Sequence, residues 1–363
     1  MKIGVISSYA CVKELNNYGA LFQYYALQKY LKKRGHYAYW IRSIIPHSKL
    51  RLFLRQIKNY RNVKLICKYY RCHRQFMQFI NTKLHLSLNE YEGNDALHIN
   101  CPEADFYITG SDQVWGGTLK ENYLQFVKEN RQKIAYAVSF GKDHIDEDQA
   151  NIVRDWVRQI PHISVREKSG IKICKELIGP DYKVEHLLDP TLLIDAHDYL
   201  TPHKNPKNNL LNCYFLNISS KNDIEITNIE SFAKNEHLIT KISSCQYSEK
   251  YFINYDSLMP SPSEWLQNYY DSKYVITNTF HGTVFAIIFE KPFITILQKG
   301  STASQNERMV SLLQMLDLED RMTDQISENF GDLMKQPINW KNIKGIINQK
   351  KIETDVYFSK IGL

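Results

Sequence analysis

Between Leu15 and Asn89 the chain has no aspartate or glutamate. Fifteen of its 46 lysines and arginines fall in that stretch, leaving 31 basic against 39 acidic residues elsewhere. The net charge of +7 therefore hides a basic segment set in an acidic body, the pattern of a surface that meets something anionic. Glycine and proline are sparse, 15 and 11 of 363 residues, and no GxGxxG occurs, which argues against a collagen-like or low-complexity chain and against a dinucleotide fingerprint. The seven cysteines, at 11, 67, 72, 101, 174, 213 and 245, form no CxxC pair. An odd, dispersed set fits reduced thiols better than a disulfide framework or a zinc site. No window reaches the 18 or more apolar residues of a membrane span, and the opening apolar run is too short for a signal sequence. The expectation is a cytoplasmic protein, peripheral at most on the inner face of the plasma membrane.

At 363 residues the chain exceeds what one hydrophobic core usually serves. Strand-like runs alternate with helical patterns. Met1–Ser7 reads as a buried strand, Ala20–Lys33 as a helix stopped by Gly35, and Tyr37–Ile41 as a strand. Strands follow at Asp105–Thr109, Lys133–Val138, His162–Val165 and Val184–Leu188, with helices at Glu147–Ile160 and Lys168–Leu177. A polar stretch over Ala196–Asn209 reads as a connection. Strands then resume at Leu210–Ile218, His237–Ile242, Tyr274–Thr277 and Pro292–Leu297, and Ser261-Pro262-Ser263-Glu264 opens a helix with a capping box. The fold class is α/β: two Rossmann-like domains with parallel sheets facing a cleft. The first covers 1–195 with a basic helical insertion at about 48–82, the second 196–345, and a tail 346–363.

Four strand-to-helix turns carry the polar residues. Asn17-Tyr18-Gly19 follows the first strand, where a glycine admits close approach to a ligand and a helix N-terminus attracts anions. Gly110-Ser111-Asp112-Gln113-Val114-Trp115 sets a carboxylate where it could accept a proton from a hydroxyl, and a flat apolar face of the kind a sugar ring stacks on; Asp112 could equally be a helix cap. Arg166 and Lys168 close another strand, and Arg166 could hold a carboxylate or phosphate bidentately, or belong to a plain surface cluster. Thr279-Phe280-His281-Gly282-Thr283 places one histidine, suited to proton transfer, beside backbone N–H groups that could bind phosphate. No metal site is expected, since the histidines lack ligand spacing. Arg51, Arg55, Lys58, Arg61, Lys64, Lys68, Arg71 and Arg74 recur every three or four residues, one stripe of an amphipathic helix suited to an anionic membrane surface. The plain alternative is a solvated face, and no nucleic-acid module is visible.

Read in order, Asn17–Gln23, Gly110–Trp115, Ile134–Gly141, Ile163–Glu167, Leu188–Leu193 and Phe280–Thr283 resemble the polysaccharide pyruvyl transferase family. That resemblance implies a GT-B-like fold with the active site between its halves. It implies phosphoenolpyruvate as co-substrate, with no further cofactor, and a cyclic pyruvate ketal formed on a hexose of a capsular or other surface polysaccharide, acting on its lipid-pyrophosphate-linked precursor. His281 would then be the general acid, Asp112 the base and Arg166 the clamp on the donor. Asn17, Tyr18, Gly19, Ser111, Gln113, Trp115, Lys168, Thr279, Phe280, Gly282 and Thr283 would line the substrate. One departure stands out: a better-known branch of the family has arginine where this chain has Thr279, and Arg308 or Lys168 would have to replace it. The alternatives are a GT-B glycosyltransferase using a nucleotide sugar and a non-catalytic membrane-associated assembly factor.

Overall fold

The computed structural model describes residues 1–44, 49–200, 208–255, 258–327 and 330–363; the start of the expected insertion, the side chains of Lys49, Leu50 and Leu52 and residues 201–207 of the expected connection lie outside them. Among the described residues twelve strands form two sheets. The first holds β1 (Lys2–Ile6), β2 (Tyr37–Ile44), β3 (Leu86–Glu92), β4 (Phe106–Thr109), β5 (Lys133–Val138), β6 (His162–Val165) and β7 (Val184–His186) in the order β3-β2-β1-β4-β5-β6-β7. The second holds β8 (Leu210–Phe215), β9 (Ile239–Ser244), β10 (Ser272–Thr277), β11 (Phe293–Ile296) and β12 (Met322–Thr323) in the order β12-β11-β10-β8-β9. Every named pair is parallel. β5 and β8 are buried along their whole length, which explains why they read as continuous apolar runs rather than alternating ones.

The strand order reverses between β1 and β4 in the first sheet and between β8 and β10 in the second. At such switch points neighbouring connections leave on opposite faces and open a crevice at the carboxyl ends of the strands. Each sheet thus offers one crevice at its switch point.

The halves share one aromatic seam. Tyr18, at the start of α2 (Tyr18–Lys33), stacks on Trp265 at 5.2 Å, and Phe22 packs on Trp265 and Phe285. Trp265 belongs to the Pro262–Asp271 helix, whose capping box forms as the sequence predicts: Ser261 Oγ accepts from Glu264 N–H and the Glu264 carboxylate from Ser261 N–H. The Trp340–Ile361 helix returns to the first half, Arg34 pairing with Asp355 at 2.9 Å and Phe358 packing on Tyr136. It begins upstream of the position where the sequence reading starts the tail.

The basic insertion is not one helix. α3 (Lys49–Tyr60) and α4 (Val63–Lys83) form a hairpin broken at Arg61, whose φ of +50° leaves the helical region, and Asn62 caps α4 by accepting from Leu65 N–H. The hairpin is held on both halves. Arg55 pairs with Glu14 of α1 (Tyr9–Leu15), while Tyr60 donates to Glu249 at 2.9 Å and packs with Leu65 and Tyr69 in the second domain's core. Burial pushes the Glu249 carboxyl up to about 7.

Candidate functional site

The cleft between the two switch points holds a cavity of about 240 Å³. Asn17, Gly19, Asp112 and Gln113 line it from the first sheet's edge, and Thr279, Phe280, His281 and Arg308 from the second. The ends of β1, β4, β8 and β10 therefore meet around one small, mostly polar space. Nearness here is tight: a Cβ added to Gly19 would collide with the His281 ring, so the α2 turn must present bare backbone.

Asp189 organises the first rim. It follows β7 and caps the turn Asp189-Pro190-Thr191 by accepting from the Thr191 N–H and hydroxyl. Its other oxygen accepts from Arg166 at 2.6 Å and from Ser111 Oγ at 3.1 Å, and lies 3.7 Å from His281 Nε2. Burial alone would raise its pKa, but His281, Arg166 and Thr191 together hold the carboxyl far below the usual range.

Arg166 is paired from within, through Nη1 and Nη2, while its Nε has no hydrogen-bond partner among the described residues. It meets Asp189, Asp112 at 3.3 Å and Glu167 at 3.8 Å, its guanidinium lies 4.5 Å from the Phe280 ring centre, and it is almost wholly buried. It does not line the cavity, which corrects its expected part as the donor's clamp: three carboxylates already surround it. Asp112 lies in the left-handed region (φ +77°), in a turn that brings its carboxylate to Arg166. Burial pushes its pKa up, yet Arg166, His281 and Arg308 bring it below the ordinary value. An ionised, paired carboxylate is a weak base.

The second rim is unsaturated. His281 Nε2 is buried without a hydrogen-bond partner among the described residues. Arg308, of the Glu307–Met315 helix, bonds only to Gln305, through its carbonyl oxygen and side-chain Oε1, and no carboxylate lies within ion-pairing distance among the described residues. Burial, then the neighbouring Arg166, pull Arg308 down to about 10. The Phe280 ring is near both guanidiniums, 5.9 Å from Arg308.

Several expected contacts lie elsewhere. Tyr18 is turned into the aromatic seam and donates to Pro260 O at 2.6 Å. Trp115 is fully buried, stacked on Tyr123 with its indole N–H on Asn122 O, so no sugar can reach its face. Ser111 and Thr283 are buried, Ser111 on Ala137 O and Asp189, Thr283 against Thr295. Lys168 is exposed and lines a separate surface hollow. Thr279 caps the Phe280–Ile288 helix and takes the Gly282 N–H at 2.9 Å, while Thr283 N–H goes to Thr279 O. Those two amides are therefore not open to phosphate. Cys11 also lines the cavity, but burial pushes its thiol up to about 12, far from a thiolate nucleophile. Gln298, Gln305, Asn217 and Gln246 are site groups that sequence reading passes over, and Asp189 lies in the Leu188–Leu193 stretch without being given a role there. Asp189 had a signal, an aspartate capping a turn at the end of a β strand.

The class is clear from this frame: two Rossmann-like domains in the GT-B arrangement with a polar site between them. The structure of Anabaena Alr3699/HepE in complex with UDP and glucose is 9% identical with a TM-score of 0.50, the match covering 100% of both chains. A putative UDP-N-acetylglucosamine 2-epimerase from Listeria monocytogenes gives 9% identity and 0.50 over 96% of this chain and 90% of its own. At such identity the likeness concerns fold alone. No curated protein matches the sequence. The family model for polysaccharide pyruvyl transferase matches residues 17–299, and the chain belongs to that family.

Proposed function

We propose that this chain transfers the three-carbon unit of phosphoenolpyruvate to two hydroxyls of a polysaccharide hexose, closing a cyclic ketal and releasing phosphate. The observation that carries it is the pairing, in the lining of one small cavity, of a guanidinium without an ion-paired carboxylate among the described residues (Arg308) with an imidazole backed by the Asp189 carboxylate (His281). A small enol phosphate needs an anion holder and a proton donor. Arg308 holds the carboxylate or phosphate, the part expected of Arg166, and stands in for the arginine absent at Thr279.

His281 delivers a proton to the methylene carbon, generating an oxocarbenium-like centre at the adjacent carbon. The first hydroxyl attacks that carbon and its proton returns to the imidazole. Asp112, ionised and fixed by Arg166, orients this hydroxyl by accepting its hydrogen bond. The phosphate then leaves, the second hydroxyl closes the ring, and its proton goes to the departing phosphate. One proton thus ends on the new methyl group and one on phosphate, so the atoms balance. Asp189 fixes His281 and Arg166 and does not touch the substrate.

Mass spectrometry of a synthetic hexose acceptor incubated with phosphoenolpyruvate and enzyme should show a gain of C₃H₂O₂ with stoichiometric phosphate release. A gain of a hexose from a nucleotide sugar, with phosphoenolpyruvate untouched, would replace this reading by a glycosyltransferase.

A further inference from the structure

The α3–α4 hairpin presents a second kind of surface. On α3 the buried contact is made by Gln56 and Tyr60. The apolar face continues beyond it through Phe53, Ile57 and Leu54, which turn progressively toward solvent, Leu54 being 55% exposed. At helical spacing these residues occupy an arc bordered by Lys58. On α4, Leu65, Tyr69, Cys72 and Phe76 face inward, while Val63, 75% exposed, shares the outer face with Lys64, Arg71 and Arg74. No ion pair among the described residues engages Lys58, Arg61, Lys64, Lys68, Arg71 or Arg74, and the sequence from 15 to 89 offers no acidic neighbour. Arg55 differs, being committed to Glu14 and the Tyr247 ring.

We infer that this outer face docks the protein on an anionic lipid bilayer, with Phe53, Leu54, Ile57 and Val63 entering the headgroup boundary and the six cations lying on the charged surface. Apolar side chains flanked by cations on helices fixed to a rigid body fit a bilayer better than nucleic acid, which rewards cations and stacking rings but not exposed leucine and valine. The hairpin also touches the site's own supports: His73 of α4 bonds Asn16 at 3.1 Å, next to the cavity-lining Asn17, and α1 carries Cys11 as well as Glu14. Docking would therefore bring the cleft close to the membrane plane.

Sedimentation of the full chain with phosphatidylcholine vesicles, and with vesicles containing about one third phosphatidylglycerol, tests this. The protein should pellet with the anionic vesicles alone and lose most of that binding at high salt. Lys64→Gln/Lys68→Gln/Arg71→Gln should weaken partitioning roughly 100-fold. Leu54→Ser/Val63→Ser, at solvent-exposed positions, should weaken it several-fold without altering the salt dependence. Turnover of a water-soluble acceptor should be unchanged in both variants, so loss of docking and failure of the proposed reaction are separately visible. Equal pelleting with neutral and anionic vesicles, wild-type binding by the triple variant, or tight binding to nucleic acid with none to vesicles would overturn the inference.

Discussion

The two rims of the cleft differ in how their charges are settled. In the first domain Asp112, Glu167 and Asp189 enclose Arg166, so its cation is met from within. The second domain brings to the cavity the His281 imidazole, whose Nε2 lies 3.7 Å from Asp189 without a hydrogen bond, and the Arg308 guanidinium, which bonds only to Gln305 and has no carboxylate at ion-pairing distance among the described residues. A buried ion network of the first kind fixes geometry; uncompensated groups of the second kind are available to a ligand. One rim positions and the other reacts.

The sharpest way to break that comparison is His281→Ala. General acid–base catalysis contributes typically 10²–10⁴-fold, so kcat should fall by about that factor while the melting temperature stays near wild type. Near-normal turnover would move the chemistry off the second rim.

Asp189→Asn should act mainly on stability. Removing one partner of a buried pair costs about 3–5 kcal/mol; Arg166 keeps two carboxylates, so the lower end is expected in urea denaturation. Because the Asp189 carboxyl is held below its ordinary value, its stabilisation is present above the unfolded pKa and lost only as pH falls through the folded one. The gap between wild type and variant should thus be flat from about pH 5 to 8.

Glu249, beneath α3, behaves in the opposite sense. Its folded value near 7 lies above the unfolded one, so its contribution is full below about pH 4.5 and is lost as pH rises through 7. Glu249→Gln should therefore gain on wild type between pH 5 and 8, by at most about 3 kcal/mol. A variant that loses ground at pH 8 would mean Tyr60 needs the ionised acceptor.

Arg308→Gln should raise KM for phosphoenolpyruvate roughly 10- to 100-fold with a smaller change in kcat, as expected for lost charge-assisted binding. If Arg166→Lys had that effect and Arg308→Gln did not, the assignment of the two arginines would be reversed.

Much of the fold was legible because parallel, doubly covered strands are continuous apolar runs; Lys133–Val138 and His162–Val165 coincide with β5 and β6. β3 escapes the reading because Leu86–Glu92 is a mostly exposed edge strand that buries Ser87 and exposes Leu88, and β12 because it has two residues. The hairpin was read as one helix since the basic period of three to four runs on across Arg61, where only a backbone reversal interrupts it. At the site, the turns that hold Asp112 and His281 were readable from their strand-end positions, whereas Gly19 lies in the first turn of α2, separated from β1 by α1, a short helix the sequence reading does not contain. Which side chains face the cavity was not readable. Trp115, Tyr18, Ser111 and Thr283 sit in the same motifs but point into the core, and a motif gives no direction. The hub Asp189 escaped because its role arises from three partners far apart in sequence.

Phe280, whose ring lies within reach of two like-charged guanidiniums from opposite halves of the molecule, has a consequence for homologues. An aliphatic side chain there would remove the ring face that both cations share. Positions 166, 280 and 308 should therefore change together in related sequences, or not at all, and a branch that discards one arginine is free to discard the ring.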